Sequence, residues 1–213
     1  VVMIALGFAA GLPNLLIFDT LSAWLRQVGL SLQVIGFFSL ATLVSAFKFL
    51  WAPLVDRTSI PGLTRRLGHR RSWMLVSQVV MVVGLAAIAA IDPASRLGLA
   101  AFIAVVVGFW SATQDIVIDA WRIEVADQVR QGAMAAAYQW GYRGAMIAAG
   151  ALPLLLAAWI GWPLAYGAMA VLMAASTLAT LAAPPEQQHA LRAMHVDGVP
   201  RRPTADALEW FVR

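Results

Sequence analysis

Six runs of mostly apolar residues, each about 20 residues long, fill nearly everything before position 184: 2–24, 32–52, 73–91, 97–121, 133–158 and 163–183. A helix of about 20 apolar residues crosses the roughly 30 Å of hydrocarbon in a bilayer, so each run is expected to span one. Composition agrees, with 61% apolar residues, 12% charged residues and a mean hydropathy of +0.77. Because hydrocarbon offers the backbone no hydrogen bonds, and because the apolar residues come in runs and not in alternating patterns, the expected fold is all-α: a polytopic bundle of six transmembrane helices over residues 1–183. Short turns separate the runs at 26–31, 92–96 and 160–163, while the link from Asp56 to Ser72 is longer and rich in arginine. After Pro184-Pro185 the composition turns polar, and 184–213 reads as a cytoplasmic linker. Val1 to Phe18 offers no initiator Met, basic n-region or cleavage site, so the N-terminus reads as trimmed and the first helix as retained.

Basic residues set the expected orientation. Arg57, Arg65, Arg66, Arg70 and Arg71 share one link, Arg122 and Arg130 flank the next link on that side, and Arg192, Arg201 and Arg202 lie in the tail; only Arg26 and Arg96 oppose them. Positive residues stay inside, which predicts that both termini of this segment are cytoplasmic. The net charge of +4 suits anionic lipid head groups and not nucleic acid. With no cysteine, disulfides and thiolate metal sites are excluded, and neither a cofactor nor a metal is expected. Trp24, Trp51, Trp73, Trp121, Trp159 and Trp162 lie near the expected helix ends, as in an interfacial aromatic belt.

The polar residues inside these runs carry the functional signal. Asp115 lies seven residues above Arg122, or roughly 10 Å, and Asp119 stands one turn lower on the same helix face. Lys48 lies roughly 12 Å above the charge ring at Asp56, and Arg143 roughly 16 Å into the fifth helix, near Tyr138 and Tyr142, while Gln114 adds an amide beside Asp115. Intramembrane charges face a bundle interior or a watery cavity and find partners, which points to a polar cavity. Simpler roles compete: Lys48 snorkelling to head groups, Asp119 pairing with Arg122, Asp115 and Arg143 forming a structural ion pair, Asp19 lying solvated near the outer interface. Gly7, Gly11, Gly144 and Gly150 read as close helix contacts, and Pro13 and Pro153 as kinks.

The link "APLVDRTSIPGLTRRLGHRRSW" (52–73), with Pro53, Asp56 and Arg57 followed by Gly68, Arg70 and Arg71, resembles the signature between the second and third helices of the major facilitator superfamily. The strings "IGFFSLATLVSAFKFLWAPLVDR" (35–57), "SATQDIVIDAWRIE" (111–124) and "QGAMAAAYQWGYRGAMIAAG" (131–150) are similar in content, order and spacing to the AmpG-type muropeptide permeases of that superfamily. The resemblance covers residues 7 to 183, and "PTADALEWFVR" in the tail resembles the lead into that family's second half. His69 stands where the family's arginine cluster usually continues, and Asp19 where a small residue is expected.

The resemblance implies an N-terminal six-helix half whose partner is a second half of the same transporter. It implies import of anhydromuropeptides across the bacterial inner membrane by proton symport, in the service of peptidoglycan recycling, and no enzymatic activity. Beside it, the residues suggest Asp115 as proton-coupling group, Arg143, Lys48, Gln114, Tyr138 and Tyr142 as contacts for substrate carboxylates and hydroxyls, and Asp56, Arg57, Arg70, Arg71, Asp119 and Arg122 as a cytoplasmic gate. Two alternatives stand: a related acetyl-CoA or other solute transporter, sharing the Gln114-Asp115 pair, and a six-helix magnesium-dependent transferase using the Asp-x3-Asp spacing of Asp115 and Asp119.

Overall fold

The computed structural model describes residues 1–31, 46–93, 95–126 and 128–184, together with position 36. Among these residues all regular structure is helical, and five helices are long and apolar enough to cross a membrane. They are α1 (Val2–Gln27), α4 (His69–Ala90), α5 (Leu97–Val125), α6 (Gln128–Ile160) and α7 (Trp162–Ala182). Two short helices, α2 (Ala52–Arg57) and α3 (Leu63–Leu67), occupy the arginine-rich link. Most of the expected second span, 32–52, and all but the first residue of the expected linker, 184–213, lie outside the described residues. At the near end of that span, Lys48 sits in a single 3₁₀ turn, Lys48–Leu50, and not in a continuous α-helix. Pro53, which lacks an N–H, occupies the first turn of α2, where none is needed, and so starts a new helix there.

The long helices pass beyond their expected ends. α5 continues to Val125 and α6 to Ile160, so Asp119 and Arg122 lie within a helix and not at its edge. A single residue, Gly161, turns the chain from α6 into α7 with φ +83°, a conformation that a Cβ would strain. In α1, Pro13 precedes a π-helical stretch, Leu16–Thr20, on which Asp19 is exposed. The Leu16 carbonyl there accepts a hydrogen bond from the buried Tyr166 hydroxyl at 2.8 Å.

α1 and α6 make the most intimate contact. A Cβ added to Gly7 or Gly11 would collide with the carbonyls of Tyr138 or Tyr142, and one added to Gly141 would collide with the Ile4 carbonyl. Ala145 and Ala149, one and two turns beyond Gly141, are fully buried, and Thr20 donates its hydroxyl to the Ala149 carbonyl at 3.0 Å. Small residues at this spacing let two backbones approach to van der Waals distance, which is what holds helices together in lipid. Gly144, expected in that role, meets nothing among the described residues, because three residues carry it about 60° round the helix from Gly141 and off the α1 contact; Gly150 meets only the Leu15 side chain.

α4 packs between α5 and α7 and completes two apolar cores. One joins Leu16, Leu21, Leu85, Ile88 and Tyr166, and the other, at the arginine-rich end, joins Met3, Leu6, Met74, Ile118 and Trp121. Half of the expected aromatic belt belongs to these cores: Trp24, Trp121 and Trp162 are buried, and Trp24 stacks on Trp162 with ring centroids 5.8 Å apart. Internal acceptors explain it, since Trp162 donates to Gln27 Oε1 at 2.7 Å and Trp121 to the Pro184 carbonyl at 3.3 Å. Trp159, 86% exposed, keeps a belt-like position.

The contrast between two glycines on α6 makes the packing testable. Gly141→Val should force α1 and α6 apart at about 1–3 kcal/mol, lowering the thermal midpoint of the detergent-solubilised protein by roughly 3–10 °C. Gly144→Val should leave that midpoint unchanged, and equal losses for the two would show that the close approach is not what holds α1 on α6.

Candidate functional site

The α1–α6 contact fixes how α6 is rotated. With Gly141 against α1, a stripe of Tyr138, Gln139, Tyr142, Arg143 and Met146 turns towards α5 and the Lys48 turn, lining an open cavity of about 450 Å³ together with Asp115, Asp119 and Lys48. Three segments thus bring two carboxylates, a lysine, an arginine and two phenols to one place. Five of the six residues expected to carry substrate or proton line this cavity: Asp115, Arg143, Lys48, Tyr138 and Tyr142.

Their pairing differs from the Asp115–Arg143 ion pair that stood as the simpler alternative. Asp115 accepts a hydrogen bond from the Tyr138 hydroxyl at 3.0 Å, while Arg143 is exposed on the cavity wall. Among the described residues neither Arg143 nor Lys48 forms a salt bridge. One turn after Tyr138, the Tyr142 hydroxyl accepts from Asn14 Nδ2 at 2.6 Å, so each phenol is oriented by a different helix. Arg143 and Lys48 therefore keep guanidinium and ammonium hydrogens available to a ligand carboxylate, and the cavity combines cationic donors with a phenol-supported carboxylate.

Gln114 is placed elsewhere. Its side chain is fully buried in the bundle, outside the cavity lining, because neighbouring residues on a helix point about 100° apart. Asn14, Gln139 and Met146 join the site without having been singled out. Asn14 carried a usable signal as a lone amide in the apolar string "GLPNLL", whereas Gln139 and Met146 show their role only once the rotation of α6 is known.

At the arginine-rich end, one guanidinium ties the link to α5. Arg70 donates through Nη1 to Asp56 Oδ1 at 2.5 Å and through Nη2 and Nε to Glu124 Oε1 at 2.7 and 3.0 Å. Glu124, two residues beyond Arg122 in "WRIE", is the acidic partner that the sequence did not single out. Arg122 pairs with Asp119 at 3.2 Å, one turn away on the same helix. Arg71 has a different task, donating to the carbonyls of Thr180 and Leu181 at 3.2 and 2.7 Å and so satisfying the last turn of α7. Arg57 is exposed, with no hydrogen bond or salt bridge among the described residues. His69, where another arginine was expected, lies with Nε2 3.0 Å from the Val55 carbonyl and joins the start of α4 to α2.

Among the described residues no group of three His, Cys, Asp or Glu side chains is placed to hold a metal ion. The Asp119 carboxylate of the Asp-x3-Asp pair is engaged by Arg122.

Comparison with known proteins places this arrangement. The Major Facilitator Superfamily model matches residues 1–209. An anhydromuropeptide permease of Escherichia coli K12 is 44% identical over 184 residues, which are 86% of this chain and 37% of that protein. A putative transporter AmpG 4 of Rickettsia felis is 39% identical over 81% of this chain and 42% of its own length, and an uncharacterised protein of Haemophilus influenzae is 41% identical over 82% and 40%. The chain thus spans less than half the length of these relatives. The first two are named as a permease and a transporter and not as enzymes. The resemblance carried by the three strings is borne out, and the chain belongs to the Major Facilitator Superfamily.

Proposed function

We propose that this chain forms the N-terminal six-helix half of a bacterial inner-membrane permease that imports anhydromuropeptides together with protons. The observation that carries the reading is the cavity in which Lys48 and Arg143 face Asp115, Tyr138 and Tyr142, set in a chain 44% identical to an anhydromuropeptide permease. A muropeptide offers carboxylates, amides and sugar hydroxyls. Arg143 and Lys48 receive the carboxylates, Tyr138 and Tyr142 bond the hydroxyls and amides, and Asp115 carries the coupling proton. The largely uncovered face of α6, with Trp140 78% and Ile147 73% exposed, meets a second six-helix half, and rocking of the halves opens the cavity to each side in turn. Both ends of residues 1–213 lie in the cytoplasm, where Arg70 with Asp56 and Glu124, and Arg122 with Asp119, hold the cytoplasmic gate.

The deciding measurement is uptake of labelled anhydromuropeptide into vesicles carrying the full-length transporter, with and without an imposed proton gradient. Asp115→Asn should abolish gradient-driven accumulation while sparing exchange down the substrate's own gradient; accumulation equal to wild type would remove Asp115 from coupling. Arg70→Ala should reduce transport at least about tenfold, because it leaves two carboxylates unpaired at once, whereas Arg57→Ala should stay within about twofold of wild type. A reporter fused after Pro185 should be active only in the cytoplasm, and periplasmic activity would invert the orientation and the gate with it.

A further inference from the structure

We propose that Ser77, Gln78 and Gln114 hold internal water between α4 and α5, on the side of α5 turned away from the cavity. These three side chains are fully buried. Gln78 Oε1 accepts from the Thr180 hydroxyl at 2.9 Å, but Gln78 Nε2, Ser77 Oγ and both amide atoms of Gln114 have no hydrogen-bond partner among the described residues. The large majority of buried side-chain polar atoms are bonded, because leaving one unmet forfeits its hydration with nothing in return. Four such atoms on two helices that pack against each other inside a bundle surrounded by hydrocarbon call for a ligand able to satisfy them.

Helix register brings the groups together. α4 and α5 run antiparallel, and Gly84 of α4 lies directly against the Val107 side chain of α5. Seven residues are two helical turns, so Ser77 and Gln114 stand opposite each other on the same facing sides, about 10 Å nearer the arginine-rich end. Neither side chain has a hydrogen-bond partner among the described residues, and a single bridging water is the simplest link between a short serine and a facing amide. The unmet atoms include donors on both amides, an acceptor on Gln114 and a hydroxyl that does either. A bound cation would leave the amide hydrogens unmet, and an anion would leave Gln114 Oε1 unmet; water satisfies both kinds at once. Gln114 thereby becomes a water ligand in the helix interface, one residue from Asp115 but facing away from it.

Two methionines report on the site. Met74 and Met81 lie three residues to either side of the Ser77–Gln78 pair, on the same face of α4, and are fully buried; Met169 of α7, 3% exposed, is also buried but stands about 16 Å up its helix from Thr180. Brief X-ray radiolysis of the full-length transporter in lipid nanodiscs generates hydroxyl radicals from bound as well as bulk water, and mass spectrometry reads the methionine sulfoxide formed. Met74 and Met81 should oxidise about tenfold faster than Met169, while added hydrogen peroxide, arriving from bulk, should leave all three intact. Gln114→Leu should bring Met74 and Met81 close to the Met169 rate, and Ser77→Ala, a smaller change that keeps the helix contact, should lower them at least about threefold. Equal radiolytic rates for the three methionines in the wild type, rapid oxidation of Met74 by peroxide, or rates unchanged in both variants would each overturn the proposal.

Discussion

Hydrocarbon gives a polar group nothing to bond to, and that single constraint organises this chain. At several places where a helix ends or leaves ideal geometry, another helix supplies the partner. The Leu16 carbonyl in the π-helical stretch of α1 is met by Tyr166 of α7, and the terminal carbonyls of α7 are met by Arg71 of α4. Thr20, instead of bonding back within its own helix, reaches the Ala149 carbonyl beside Pro153 in α6. These bonds draw their strength from the lack of competing solvent, and each also fixes a rotation or a height. Polar satisfaction and architecture are one problem here.

Within that frame the α1–α6 contact determines the site. Gly7, Gly11 and Gly141 bring the two backbones so close that α6 has one possible rotation, and this rotation decides which of its side chains meet Asp115. Had α6 turned by one residue, Tyr138 and Arg143 would have faced α1 or the outer surface. The same rotation leaves Trp140 and Ile147 bare, so the cavity wall and the unpartnered face are consequences of one packing choice.

Much of this was legible in the sequence because hydrocarbon enforces it. The apolar runs marked the five described spans, and the depth of Asp115, Lys48 and Arg143 marked the cavity, since length and charge position are read directly along a helix. What could not be read was rotation about the helix axis. Gly144 was expected at the contact that Gly141 makes, Gln114 was expected in the cavity that its neighbour Asp115 enters without it, and Trp24, Trp121 and Trp162 were expected at the membrane surface. In each case the expectation followed height along the axis, and the outcome followed azimuth. Azimuth in a membrane helix is set by which small residues touch, and a polytopic helix that is apolar nearly all round carries little amphipathic signal to reveal it. Glu124 was passed over for a related reason: it belongs to the ion-pair network only if α5 continues as a helix to Val125, beyond the end of its apolar run.

The bond between Tyr138 and Asp115 also bears on how a carboxylate and a cation can cooperate in such a cavity. Had Asp115 paired with Arg143, an anionic ligand would have had to break that pair, and binding would have altered protonation by direct competition for the guanidinium. Here Asp115 is held by a neutral phenol, and Arg143 stands exposed on the same wall. A ligand carboxylate can then meet Arg143 without displacing anything, and its effect on Asp115 is repulsion between two negative groups, which protonation of Asp115 removes. On the transport reading, substrate and proton therefore favour each other's presence in the cavity, and reciprocity requires the help to be equal in both directions. That sign is the one a proton symporter requires, and it comes from placing Asp115 and Arg143 in one cavity without pairing them.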